Sequence, residues 1–208
     1  MGCLITSQIN EERLLALLIL VDQYEKSNEE DRETFYRFYI QHLRHINNWN
    51  LVDASAHRLL GAHLWNKDRH VLIELAASNN LWHKRIAIVA TWFFIKRGDF
   101  EWTVKISFLL LHDTHDLIHK AVGWMLREVG KQDQSVLMAF LDQYADMMPR
   151  TMLRYAIERL EPKQRLTYMM MGKVSATFSA TSVIAAKPCV FDSESATNKK
   201  DDRSPYRQ

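Results

Sequence analysis

A four-residue segment, Leu-Trp-His-Lys at residues 81–84, recurs as Leu-Ile-His-Lys at residues 117–120, an offset of 36 residues. An Asn-Asn pair precedes Trp49 and recurs before Leu81, at an offset of 32 residues. Helical patterns of about 15 residues that recur at such a period are typical of stacked helix pairs. We therefore predict an all-α fold, an α-solenoid of HEAT-like helical repeats with a concave face. A compact helical bundle is the alternative.

Apolar residues follow a helical period almost without interruption from Glu11 to Leu160. Only 6 Gly and 4 Pro occur in 208 residues, which favours helices over an all-β chain rich in turns. The side chains of Asn48, Asn80, Thr114 and Asp133 are the predicted N-caps. The predicted helices are 10–26, 30–46, 49–64, 67–78, 81–97, 99–112, 115–130, 133–145 and 149–161.

The helical pattern indicates one repeat domain over residues 1–165. Residues 166–208 are rich in Ser, Thr, Ala and charged side chains, and we predict that they form a disordered tail. The first long helix has a strongly apolar face, and no capping repeat with a polar outer side precedes it. We therefore expect either that an N-terminal piece is missing or that another molecule covers this face.

Charge is divided unevenly along the chain, although its net value is only +2. Residues 1–60 contain 6 Lys and Arg against 9 Asp and Glu, whereas residues 61–165 contain 15 against 12. A polybasic nucleic-acid binder is therefore excluded, and any DNA affinity must come from a local patch on the later helices. The two cysteines, Cys3 and Cys189, form neither a disulfide framework nor a zinc motif. No apolar run is long enough to span a membrane.

Trp49 and Asp53 lie four residues apart and therefore share one face of a predicted helix. Apolar neighbours place the carboxylate beside buried surface, where an acid needs a partner. Arg85 and His57 are both candidates for that partner.

Arg85 lies early in a later helix, directly before an apolar run. A guanidinium at the edge of the core near a helix N-terminus is suited to bidentate phosphate binding. A salt bridge to an acid of a neighbouring helix is the equally weighted alternative.

Lys120, Trp124 and Arg127 share a face through their i, i+4 and i+7 spacing. An aromatic side chain between two cations is a common contact for the sugar and phosphate of a nucleic acid. Gly123 is costly inside a helix and indicates the close approach of another group. Arg150 and Arg154 repeat the basic pattern further along, and a solvated charged face is the alternative for all of these cations.

The nine histidines include His115 and His119, which are spaced to bind one metal ion together. No third ligand can be identified, so we predict no metal site. We also predict no cofactor, because no Gly-rich phosphate loop occurs in the sequence.

Four motifs in order resemble the AlkD-type DNA alkylation repair family. They are Asn-Asn-Trp-Asn-Leu-Val-Asp (47–53), Asn-Leu-Trp-x-x-Arg-Ile-Ala-Ile (80–88), Asp-Leu-Ile-His-Lys-Ala-Val-Gly-Trp-Met-Leu-Arg-Glu (116–128) and Met-Pro-Arg-Thr-Met-Leu-Arg-Tyr-Ala-Ile-Glu (148–158). The resemblance implies a HEAT-like DNA glycosylase that holds duplex DNA in its concave face and excises positively charged N3- and N7-alkylated purines without base flipping. It places the catalytic residues at Trp49, Asp53, Arg85 and Trp124. It also implies that the family's N-terminal helices are absent from this chain.

Double-stranded DNA with alkylated bases is the expected partner, bound by a monomer with no membrane involved. The expected location is the nucleoid in the cytoplasm, or the nucleus of a eukaryote. The alternative function is a non-catalytic HEAT-like scaffold that binds DNA or protein. The expected DNA-binding residues are Lys84, Arg85, Lys120, Arg127, Arg150 and Arg154.

Overall fold

The computed structural model describes the backbone of residues 2–174 and the side chains of residues 2–171. Over this part of the chain the structure contains helices and turns but no β-strand, which confirms the all-α fold class. A 3₁₀ turn occupies Leu43–His45, and a π-helical segment occupies His57–Gly61. The α-helices are α1 (Gly2–Ile5), α2 (Asn10–Lys26), α3 (Glu29–Gln41), α4 (Trp49–Ser55), α5 (His70–Ala77), α6 (Leu81–Ala90), α7 (Trp92–Ile95), α8 (Glu101–Leu109), α9 (Asp116–Gln132), α10 (Gln134–Tyr144), α11 (Arg150–Ala156) and α12 (Pro162–Val174).

Three of the four predicted N-caps are present. The side chains of Asn48, Asn80 and Asp133 accept hydrogen bonds from the first backbone N–H groups of α4, α6 and α10. The prediction for Thr114 is wrong, because His115 caps α9 and its Nδ1 accepts from the N–H of Leu117. These caps fix the starts of the helices that carry most of the candidate site residues.

Three predicted helices are interrupted. The helix predicted for 30–46 ends as α3 at Gln41 and is followed by the 3₁₀ turn Leu43–His45. The helix predicted for 49–64 widens into the π-helical segment after α4. The helix predicted for 81–97 breaks at Thr91, whose hydroxyl donates to the carbonyl of Ile88. Such bonds to the preceding turn bend helices, and α7 follows as a separate short helix.

Five helices form one row of successive contacts through the described part of the chain. Helix α2 contacts α4, α4 contacts α6, α6 contacts α9, and α9 contacts α11. Helices α5, α8 and α10 pack against members of this row and not within it. The buried core lies between the two sets and includes Leu51, Ile86, Val122 and Leu153. Every helix of the row except α2 carries at least one candidate site residue.

Ion pairs link successive parts of the chain at a regular spacing. Within the described residues, several paired side chains lie 29 to 33 positions apart. This spacing is close to the offsets of 32 and 36 residues in the sequence repeat. These pairs are Arg58–Glu25, Arg69–Asp99, Lys84–Asp113, Arg85–Asp53 and Arg127–Glu158.

Gly61 and Gly123 permit close packing of the row. A Cβ atom on Gly61 would overlap the carbonyl oxygen of Ala90, and one on Gly123 would overlap that of Met152. The close approach that Gly123 indicated in the sequence is therefore confirmed, and the group that approaches is helix α11.

Helix α12 corrects the predicted end of the helical region. It runs from Pro162 to Val174, whereas the tail was predicted to begin at residue 166. The helix exposes Leu166, Met170 and Met171 and buries Tyr168, so its sequence shows little apolar periodicity. The rest of the predicted tail, from residue 175 on, lies outside the described residues.

No helix in the described part of the chain is long and apolar enough to cross a membrane. The apolar face predicted for the first long helix is visible on α2. Leu17, Leu20 and Val21 are buried on one side of this helix, and Leu15, Leu18 and Ile19 are exposed on the other.

Candidate functional site

A cavity of about 290 Å³ opens between the row helices α4, α6, α9 and α11. Three of the four residues predicted to be catalytic line it, namely Trp49, Arg85 and Trp124. We call this cavity the indole pocket. Its complete lining is Trp49, Arg85, Leu117, Lys120, Trp124, Arg127 and Tyr155.

Asp53 is held against the indole pocket by Arg85. The Nε and Nη2 atoms of Arg85 donate to the two carboxylate oxygens of Asp53 at 3.0 and 2.8 Å. The Nη1 atom donates to the carbonyl oxygen of Leu117 at 2.7 Å. Of the two partners that the sequence left open for Asp53, the structure therefore selects Arg85 and not His57.

The ion pair leaves both side chains with unused bonding capacity. Arg85 is only 5% exposed, yet two of the five N–H bonds of a guanidinium remain after these three contacts. The side chain of Asp53 is 21% exposed, and each of its oxygens has a further lone pair. The carboxylate is therefore oriented by the arginine and still accessible to a ligand.

Trp49 is the first residue of α4 and is 55% exposed. The cap by Asn48 fixes the backbone beneath it, since the Asn48 side chain accepts from the Trp49 N–H at 2.8 Å. An indole left this open on a pocket wall offers a flat apolar surface to a ligand.

Trp124 forms another wall and is held on two sides. Its Nε1 donates to Glu128 Oε1 at 3.2 Å. Its ring meets that of Trp92 edge to face, with 5.0 Å between ring centroids. The indole orientation is thus set before any ligand binds.

A column of rings continues from Trp124 into the protein. His57 packs against Trp92 with 4.5 Å between centroids, and the Nζ of Lys96 lies 4.1 Å from the Trp92 ring centroid. His57 is 8% exposed, and burial, together with the charges of Lys96 and Arg58, lowers its pKa to about 4. The column therefore carries a neutral imidazole at pH 7.

Lys120 and Arg127 bring positive charge to the indole pocket, as their shared face predicted. Lys120 pairs with Asp116 at 2.6 Å, and this hydrogen bond raises the pKa of the lysine. Arg127 pairs with Glu158 and lies 3.6 Å from Glu128. Both acids of α9 and the acid after α11 therefore partly offset the pocket cations.

The other predicted DNA-binding residues do not line the indole pocket. Lys84 pairs with Asp113 at 2.7 Å. Burial acts to raise the pKa of Asp113, but hydrogen bonds from Lys84 and the His115 N–H hold it below its ordinary value. Arg150 donates to the carbonyl of Met169, and Arg154 is exposed on α11.

The two histidines whose spacing could suit a metal ion, His115 and His119, make hydrogen bonds at the start of α9. His115 caps the helix, and His119 Nε2 lies 2.6 Å from the carbonyl oxygen of Asp113. Within the described residues, no group of three or more His, Cys, Asp or Glu side chains is arranged to hold a metal ion.

Sequence reasoning missed Tyr155, which lines the indole pocket from α11. The signal available for it was indirect. Gly123 indicated a close approach on α9, but the sequence alone could not identify the helix that approaches.

A larger cavity of about 550 Å³ lies elsewhere on the described part of the chain. None of the predicted site residues lines it. Its cations are engaged with partners, as Arg58 is with Glu25 and Arg97 is with the Phe93 ring. Size alone therefore does not identify the functional site.

The comparisons with known proteins identify the family of the chain. Residues 2–160 match the family model described as DNA alkylation repair enzyme. The chain belongs to this DNA alkylation repair family. It is therefore similar to enzymes of DNA repair, whose substrate is DNA.

Among solved structures, the chain resembles a predicted DNA alkylation repair enzyme from Enterococcus faecalis. The TM-score is 0.59 and the sequences are 16% identical, over 76% of this chain and 73% of that chain. At this identity the likeness shows the fold. No curated protein matches the chain.

Proposed function

We propose that this member of the DNA alkylation repair family is a DNA glycosylase that excises cationic N3- and N7-alkylated purines from duplex DNA. The observation that carries the proposal is the oriented, partly exposed carboxylate of Asp53 beside a pocket walled by Trp49 and Trp124. An acid beside two indoles suits a reacting centre that becomes a cationic sugar.

The reaction is hydrolysis of the bond between the base nitrogen and C1′ of deoxyribose. The bonding electron pair leaves with the purine and neutralises its positive charge, so the base needs no general acid. Positive charge develops on the sugar, where the Asp53 carboxylate stabilises it. Water then adds its oxygen to C1′ and releases a proton, which completes the balance.

The remaining residues hold the DNA strand. The indoles of Trp49 and Trp124 pack on the deoxyribose and support its charge through their π faces. Arg85 uses its two remaining N–H bonds on a backbone phosphate, with Lys120 and Arg127 adding positive charge on the same wall. Because these cations repel a positively charged purine, we propose that the base stays outside the indole pocket and is not flipped into it.

The row of alternate helices supports a HEAT-like solenoid whose inner helices present this face to duplex DNA. We also propose that more distant phosphates contact Lys84, Arg150 and Arg154. The enzyme would act as a monomer in the nucleoid or the nucleus.

The second candidate is a non-catalytic DNA-binding or protein-interaction scaffold. The bidentate contact with Arg85 favours it, because the guanidinium offsets part of the charge that the carboxylate would give to the sugar.

Incubation of the protein with methylated duplex DNA separates the two candidates. A glycosylase releases free 7-methylguanine or 3-methyladenine, identified by chromatography, and leaves abasic sites in the strand. A scaffold retards the duplex in a binding assay and releases no base.

A further inference from the structure

Tyr155 lies on the only pocket wall to which the resemblance assigns no catalytic residue. It is on α11, next to Arg154, and it lines the indole pocket together with Trp49, Arg85 and Trp124. Three aromatic rings from three different helices therefore surround the same space.

The backbone beneath Tyr155 is fixed by close packing. A Cβ atom on Gly123 would overlap the Cβ of Tyr155, so α9 and α11 are as close here as a glycine permits. Met152 and Ala156, on either side of Tyr155 along α11, are fully buried. The point from which the Tyr155 side chain leaves α11 is therefore fixed.

The Tyr155 hydroxyl is unused, in contrast to those of buried tyrosines. The hydroxyl of Tyr39 lies 3.1 Å from Ser55 Oγ, and that of Tyr168 donates to Asp142 at 2.6 Å. Within the described residues, the hydroxyl of Tyr155 has no hydrogen-bond partner. A half-buried phenol on a fixed backbone, with a free donor, is available to a ligand group.

The charge around the phenol indicates which group it would meet. Lys120, Arg85 and Arg127 line the same cavity as Tyr155. An anion that accepts hydrogen bonds from a lysine is also the natural acceptor for a tyrosine hydroxyl beside it. In DNA that anion is the backbone phosphate.

We infer that Tyr155 is a substrate-contacting residue, whose ring packs on the deoxyribose and whose hydroxyl donates to a backbone phosphate oxygen. This inference rests on the proposed function and adds to it a residue on the α11 wall. It divides the contact into two separable parts, the ring and the hydroxyl.

Tyr155→Phe and Tyr155→Ala test the two parts, and Tyr36→Phe is the matched control outside the pocket. Single-turnover release of 7-methylguanine is measured over a range of protein concentrations. Loss of the hydroxyl raises the half-saturating concentration at least about 10-fold, the usual effect of one hydrogen bond to a charged acceptor, and leaves the maximal rate within about twofold. Loss of the ring also lowers the maximal rate at least about tenfold. Tyr36→Phe matches wild type.

Tyr155→Phe keeps the ring and its packing, so it carries the test even if Tyr155→Ala does not fold. Wild-type behaviour of Tyr155→Phe would overturn the hydroxyl contact, and wild-type behaviour of Tyr155→Ala would overturn the ring contact, while the glycosylase assignment stands in both cases. If wild type releases no base, the proposed function fails instead. Binding of the same variants to a duplex with a tetrahydrofuran abasic analogue then decides the Tyr155 contact independently.

Discussion

The two indoles of the pocket differ in how the protein holds them. Trp124 is bonded to Glu128 and packed against Trp92, which itself rests on His57. Trp49 is more than half exposed at the start of its helix, and only the backbone beneath it is fixed. One wall is therefore built before DNA arrives, whereas the other exposes apolar surface that a bound strand would cover.

The largest expected difference between the two walls is in stability. Trp124→Ala should lower the free energy of unfolding by about 3 kcal/mol, because it leaves a cavity beside Trp92 and removes the hydrogen bond to Glu128. Trp49→Ala should change it by no more than about 0.5 kcal/mol, since the indole is exposed. Urea unfolding measures both.

Base release, unlike stability, should fall in both variants. Both substitutions should lower single-turnover release from methylated DNA, because both remove a surface proposed to pack on the sugar. Equal destabilisation by the two variants would show that Trp49 is anchored as firmly as Trp124. Wild-type release by Trp49→Ala would remove it from the site.

The sequence alone predicts the features that one helix determines by itself. The helical period and the caps at Asn48, Asn80 and Asp133 depend only on residues close together in the chain, so the sequence alone predicts them. The common face of Trp49 and Asp53 is equally local, because one helix determines it.

What the sequence left open depends on how helices pack against each other. Arg85 and His57 are equal candidates for the partner of Asp53 as long as the register between α4 and α6 is unknown. Tyr155 enters the pocket through the approach of α11 to Gly123, which no single helix reveals. Helix α12 was missed because it buries few apolar side chains.

His57, which lies behind Trp124 and Trp92, should make the free energy of unfolding depend on pH, and this effect is smaller. The pKa of His57 is about 4 in the folded protein, against 6.5 for an ordinary histidine. Below pH 6.5 the unfolded chain binds a proton that the folded chain does not, so stability is full above this pH and falls as the pH drops towards 4. His57 should thus account for about 2 kcal/mol of stability lost between pH 7 and pH 5.

Urea unfolding at the two pH values checks this, with His57→Gln and the exposed His70→Gln compared with wild type. The pH-dependent loss should shrink in His57→Gln and persist in His70→Gln. An unchanged loss in His57→Gln would show that the imidazole is not kept neutral by the ring column.

The smallest expected effect concerns the hydrogen bond to Trp124. Glu128→Gln keeps an oxygen acceptor for the indole N–H and should change stability by less than about 0.5 kcal/mol. Glu128→Ala removes the acceptor and should cost about 1 kcal/mol and slow base release a few-fold. If the Gln and Ala variants release base at the same rate, the acceptor does not orient the indole.

A single rate comparison tests whether the Asp53 carboxylate stabilises a cationic sugar. Single-turnover release of 7-methylguanine is measured for wild type, for Asp53→Asn and for the exposed control Asp22→Asn. Asp53→Asn should be slower by at least about 100-fold, the scale for losing one oriented electrostatic group, while Asp22→Asn should equal wild type. Release by Asp53→Asn at the wild-type rate would contradict this role of the carboxylate.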